Sequence, residues 1–136
     1  MKVARIGERG SEVPAVLDRD GVHRDVSSVV SDFTPEFFAG DGIECLRSGD
    51  LSALPAVEGR IGAPIAKPSL ILCVGLNYVD HANESSMKVP EEPILFTKAP
   101  NCLVGPYDDV LTPRGATTVD YEVELVVVIG RQCRYL

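Results

Sequence analysis

Residues 120–130 read DYEVELVVVIG, and the segment changes character halfway along. Asp120, Glu122 and Glu124 occupy alternate positions, after which Val126, Val127, Val128 and Ile129 run on without a polar break. Side chains of an extended strand alternate between faces, so this pattern predicts a strand with three acids on one side and Tyr121, Val123 and Leu125 on the other. Residues two apart in a strand are separated by about 6.6 Å. From that spacing two glutamates can converge on one hard cation, whose bonds to oxygen are about 2.1 Å for Mg2+. Without a cation, paired carboxylates beside a run buried on both faces would be costly. A solvated polar face on an open antiparallel sheet explains the same alternation, so the spacing needs a companion motif.

The bulk of the chain narrows the classes. Its 136 residues are 45% hydrophobic and 24% charged, which suits one ordinary domain or two small ones. Thirteen Lys and Arg against twenty Asp and Glu leave a net charge of −7. That sign argues against a nucleic-acid partner and against an anionic membrane surface, both of which need cationic contacts. The opening MKVARIGERG has no apolar core of signal-peptide length, and no window approaches the roughly 20 apolar residues of a membrane span, so a cytoplasmic protein is expected. Cys45, Cys73, Cys102 and Cys133 are widely spaced with no C-x-x-C pair, a poor pattern for structural zinc. Cys73 and Cys102 stand in apolar surroundings and are expected to be small buried hydrophobes.

Residues 1–66 read as a small β-rich domain with a linker. KVARIG and VPAVLD are predicted strands, and DRDG supplies a turn into VHRDV. Thr34 is a candidate helix N-cap with Pro35 at the first helical position, and Gly40 and Gly42 are expected to end that helix. His23 has no partner nearby in sequence and no catalytic role is expected of it. Residues 53–69, rich in proline and glycine, read as a draped connection, with the domain boundary near Lys67. Beyond it SLILCVG predicts a buried strand, VDHANE a short helix, and ILFTK and DVLTP two further strands.

The companion motif is GLNYVDHANE. His81 and Glu84 are three apart and share one face of a helix. A carboxylate beside an imidazole holds its tautomer and raises its basicity, which a general base needs to deprotonate water. Gly75 behind, and Ser85, Ser86, Pro90 and Pro93 ahead, supply the mobile flanks of a lid. An incidental i,i+3 pair on an exposed helix has the same spacing.

ILCVGLNYVDHANE, PILFTKAPNCLVGP and DYEVELVVVIG, in this order, resemble the fumarylacetoacetate hydrolase family, over about residues 67–136. More narrowly they resemble its bacterial members acting on 2-oxo and 2,4-dioxo acids. The resemblance implies an α+β, mostly β fold, with a small N-terminal domain at 1–66 and the beginning of a mixed β-sandwich roll, the catalytic domain, at 67–136. It implies that Glu122 and Glu124 are two of the carboxylate ligands of Mg2+ or Mn2+, with Ca2+ as a further candidate. His81 and Glu84 would be the water-activating dyad, while Lys98, Asn77 and Tyr78 would line the substrate or brace the lid. Asp120 is not a carried-over ligand. The implied reaction is hydrolysis of a C–C bond in a 2,4-dioxo acid such as an acylpyruvate or a diketo-deoxy sugar acid, in a homodimer.

Members of that family are roughly twice as long, and their third metal carboxylate lies downstream of the acidic strand. The chain is therefore expected to be a truncated member, weakly active or inactive by itself. Two alternatives stay open. One is a non-catalytic fragment or interaction module; the other is a decarboxylase, lyase or tautomerase acting on a 2-oxo acid at the same metal site.

Overall fold

In the computed structural model, which describes residues 1–136, the chain opens with three short antiparallel strands. They are β1 (Lys2–Ile6), β2 (Val13–Leu17) and β3 (His23–Asp25), hydrogen-bonded in that order. Asp18 builds the turn before β3: its Oδ1 accepts from the backbone N–H of Asp20 and Val22 at 2.9 and 2.8 Å, and its Oδ2 accepts from Arg24 Nε at 2.8 Å. These bonds, the one from Val22 foremost, hold its carboxyl below the ordinary range. Pro14 sets where the β2–β3 ladder stops. It has no N–H to donate, so the Val26 carbonyl opposite accepts from Val29 and Val30 instead, while the Val26 N–H still reaches the Pro14 carbonyl at 3.0 Å.

Thr34 caps α1 (Pro35–Ala39) as expected, its side chain accepting from the Phe37 N–H at 3.4 Å, and Gly40 ends the helix. Gly42 does not end it. It begins a second helix, α2 (Gly42–Ser48), and a β-carbon there would overlap the Phe37 ring. The glycine is a close-approach residue between two helices. Together they bury Phe37 and Leu46 against Val16, Val26 and Phe33, and the Phe33 and Phe37 rings meet edge-on at 5.0 Å.

Residues 53–66 do more than connect. The Pro55 carbonyl accepts from Asp25 and the Val57 N–H reaches the His23 carbonyl, both at 2.9 Å, which covers the β3 edge. Gly62 donates to the Arg5 carbonyl at 2.7 Å and Ile61 bridges Ile6, which covers the β1 edge. One draped segment thus blocks both open edges of the sheet. Ionic contacts reinforce it. Arg5 forks onto Asp32 at 2.8 and 2.9 Å, and Arg60 joins Glu12 at 3.0 Å and Asp108 at 2.7 Å. The Arg60 guanidinium, foremost, holds the Asp108 carboxyl down at about 2, against an ordinary 3.8. Burial pushes the Glu12 carboxyl up, but the Arg60 bond, the backbone bonds and the Arg5 charge together bring it below its usual value.

By contacts the chain divides into two units, Met1–Ala66 with Val104–Leu136, and Lys67–Leu103. The second unit holds β4 (Ile71–Gly75), α3 (Val79–Glu84) and β5 (Ile94–Lys98), with β4 and β5 paired antiparallel. The fold class is α+β, with small sheets and few helices, and no helix is long and apolar enough to cross a membrane.

Several expectations need correction. SLILCVG forms its strand, but β4 alternates between half-buried and exposed positions, because its one ladder partner lies beside it and leaves the faces of the sheet incompletely covered. Cys73 is half-buried and Cys102 exposed, for the same lack of a covering layer. DVLTP is irregular, and so is the whole of 120–130. Val123, between the two glutamates, has φ 47°, a left-handed conformation costly for a β-branched residue. Leu125 to Ile129 are 44–85% exposed. A strand needs a neighbouring strand to continue its ladder, and residues 120–130 join neither of the two sheets.

Two outcomes follow. Phe33→Ala is expected to cost about 3–5 kcal/mol, a large share of a small domain's stability, read as a lower urea midpoint. Since the Asp108 carboxyl is depressed in the folded state, its stabilisation is complete above about pH 4 and lost as pH falls toward 2. An acid titration of the urea midpoint should therefore show a shallower fall between pH 4 and 2 in Asp108→Asn than in the parent.

Candidate functional site

The candidate residues are distributed over both units. His81 and Glu84 lie on α3, Asn77 and Tyr78 in the turn leading into it, and Lys98 at the end of β5, all in the second unit; Glu122 and Glu124 lie in the first. Helix α3 forms because Ala82, fully buried, gives it an anchor, while Tyr78 occupies the N-cap position without a capping side chain. His81 and Glu84 therefore take the two exposed positions of one helical face. No hydrogen bond or ion pair joins them. The pair shares a face, but the imidazole is not oriented by the carboxylate in this structure.

The approach to α3 is tightly turned. Leu76 adopts φ 50° directly after β4, and Asn77 and Tyr78 follow it. Lys98 stands opposite Ile71, whereas Gly75, from which Asn77 and Tyr78 depart, stands opposite Ile94. Four residues of strand separate the two ends of that ladder, about 13 Å. The ladder register thus places Lys98 at the end away from Gly75.

Glu122 and Glu124 are exposed on irregular backbone, and with Val123 left-handed between them the strict alternation of a strand is not in force. No group of three or more His, Cys, Asp or Glu side chains gathers in a way that could hold a metal ion. A hard divalent cation takes six or more oxygens and is usually anchored by several carboxylates and waters. The residues of this chain, as folded, do not make such a site by themselves.

A network of ion pairs lies elsewhere, through Arg5, Asp32, Glu12, Arg60 and Asp108, and sequence reasoning missed it. Arg60 and Asp108 are 48 positions apart, and nothing in either local sequence marks the other as its partner. His23 lines a shallow groove with Glu58 and Ile61, and it joins no charged neighbour there.

Residues 70–136 match the family model described as fumarylacetoacetate (FAA) hydrolase, C-terminal. Over 138 aligned residues the chain is 45% identical to a 2,4-didehydro-3-deoxy-L-rhamnonate hydrolase from Sphingomonas sp. (strain SKA58), covering 100% of this chain and 47% of that protein. A crystal structure of a protein assigned as HpcE from Mycobacterium smegmatis superposes with a TM-score of 0.67 at 29% identity, over 85% of this chain and 42% of that one. The fumarylacetoacetate hydrolase of the psychrophile Exiguobacterium antarcticum superposes with a TM-score of 0.59 at 32% identity, over 81% of this chain and 39% of that one. The chain thus spans about half the length of the curated relatives it matches. Its α+β fold agrees with these neighbours, and the chain belongs to the fumarylacetoacetate hydrolase family, whose C-terminal-domain pattern occupies residues 70–136.

Proposed function

We propose that this chain is part of a hydrolase that cleaves a C–C bond in a 2,4-dioxo acid, an acylpyruvate or a diketo-deoxy sugar acid. The observation that carries the reading is its 45% identity, over its whole length, to a relative named for hydrolysis of 2,4-didehydro-3-deoxy-L-rhamnonate. The residue set supports it: an E-x-E pair at Glu122 and Glu124, and a histidine with a carboxylate three positions on at His81 and Glu84. The assignment of residues 67–136 to a catalytic domain is part of the same proposal, as are a homodimeric state and a small-molecule substrate.

Cleaving the bond between two carbonyls expels a carbanion, so the electron pair must come to rest on an oxygen as an enolate. A divalent ion, Mg2+ or Mn2+, would supply the charge that favours this, with Glu122 and Glu124 among its carboxylates and the remaining ligands from outside this chain. The other roles are those of the chain's own side chains. His81 takes a proton from water, and Glu84 on the same helical face orients the ring and steadies the imidazolium. The hydroxide adds to the distal carbonyl, the C–C bond breaks, and the enolate is protonated to a 2-oxo acid beside a carboxylic acid. Such a dyad must close up from its exposed, unbonded arrangement, a change compatible with a short helix flanked by glycine, serines and prolines. Lys98 would meet the substrate carboxylate, and Asn77 and Tyr78 would brace the segment that carries the dyad.

The reading of the chain as a non-catalytic module has its own support, since its acids do not cluster into an ion site. The two readings separate in one assay. With Mg2+ or Mn2+ saturating, the product of the complete reading frame is expected to discharge the diketone absorbance of an acylpyruvate, and this chain alone is expected to leave it nearly unchanged. In the active protein His81→Ala should lower kcat by about 10²–10⁴ with KM little altered, and unaltered kcat would remove the dyad from the mechanism. Glu122→Ala should abolish the ion-dependent rate, and full turnover in that variant would exclude the carboxylate as a ligand.

A further inference from the structure

The stretch Lys67–Leu103 forms a unit of its own, and the residues on either side of it, Ala66 and Val104, belong to the first unit. The outgoing end is held where Ala66, buried, donates its N–H to the Phe33 carbonyl at 3.0 Å. The returning end is held by a turn at Gly105–Asp108. Asp108 Oδ2 accepts from the Gly105 N–H at 2.8 Å, and the Asp108 N–H donates to the Gly105 carbonyl at 3.2 Å. Gly105 is buried, and a β-carbon there would overlap the Ile61 carbonyl oxygen. The turn therefore lies directly on the segment that covers the β1 edge.

Arg60 fastens this turn from below. Its Nε and Nη2 fork onto the two carboxylate oxygens of Asp108 at 2.7 and 2.5 Å. Its Nη1 donates to Glu12 Oε1 at 3.0 Å and to the Gly7 carbonyl at 3.1 Å, and its own carbonyl accepts from the Gly7 N–H at 2.9 Å. Backbone and side chain of Arg60 are thus both tied to the end of β1, so the guanidinium is pre-positioned. Isolated exposed ion pairs contribute little. This one is a two-point fork with side chains only 26% and 18% exposed, braced by Glu12 at 5%.

We propose that Arg60 and Asp108 form a clasp at the base of the 67–103 excursion, and that this pair sets how freely the excursion's two ends open. Loop-closure cost rises only with the logarithm of loop length, so one strong pair at the base can keep a long excursion closed. The excursion carries His81, Glu84 and Lys98, which gives the clasp leverage over a segment of consequence, but the inference stands on the contacts of the first unit alone.

Hydrogen–deuterium exchange on the 136-residue chain tests it. Asp108→Asn removes the charge while keeping an acceptor for the Gly105 N–H. Exchange at 104–108 and at 66–70 is expected to rise on the order of tenfold to a hundredfold, with the amides of β1, β2 and β3 unchanged. Gly105→Ala, which lifts the turn by steric overlap and leaves both charges in place, is expected to give the same pattern. The clasp is overturned if neither variant alters exchange at 104–108. It is overturned too if 104–108 responds while 66–70 does not, or if the increase spreads evenly through the three strands.

Discussion

A β-strand persists only where another stretch of backbone takes up its N–H and C=O groups, and that requirement sorts this chain into what is ordered and what is not. The strands β1, β2 and β3 satisfy one another, and the draped segment 53–66 satisfies the two outer edges. A second pairing, β4 with β5, sustains the other unit, though with much apolar surface left uncovered. Residues 120–130 have the residue types of a strand, yet they are irregular and join neither sheet. Strand preference is a property of surroundings as much as of residue type.

The same requirement bears on the candidate site. A pair of glutamates two apart aims at one point only if the backbone between them is extended. With Val123 in a left-handed conformation, that geometric premise is missing from this chain. The histidine and its glutamate fare differently, because a single helical turn anchored by Ala82 is enough to put them on one face. The proposed chemistry thus draws on a pair that shares one short helix and on two glutamates that stand on irregular backbone. That contrast accords with a chain covering about half the length of its relatives.

Charge has a second role that composition hides. An excess of acids reads as solubility, but five charged side chains, Arg60 among them, link residues from positions 5 to 108 into a network of forks and short bonds. Its organising residue is an arginine in the segment that looked least structured. Proline and glycine there do not mark slackness; they let the backbone follow the sheet edges closely.

Short-range chemistry was readable from residues alone. The Asp18 turn, the Thr34 cap, the helix carrying His81 and Glu84, the strands β1, β2, β4 and β5, and the family pattern all rest on interactions spanning a few positions, where residue type and spacing are sufficient. Tertiary structure alone decided the rest. Gly42 became a contact between helices because Phe37 packs on it, Arg60 met Asp108 because two distant segments share one sheet edge, and Leu125 to Ile129 lay open because a strand's existence depends on a partner that its own sequence cannot specify.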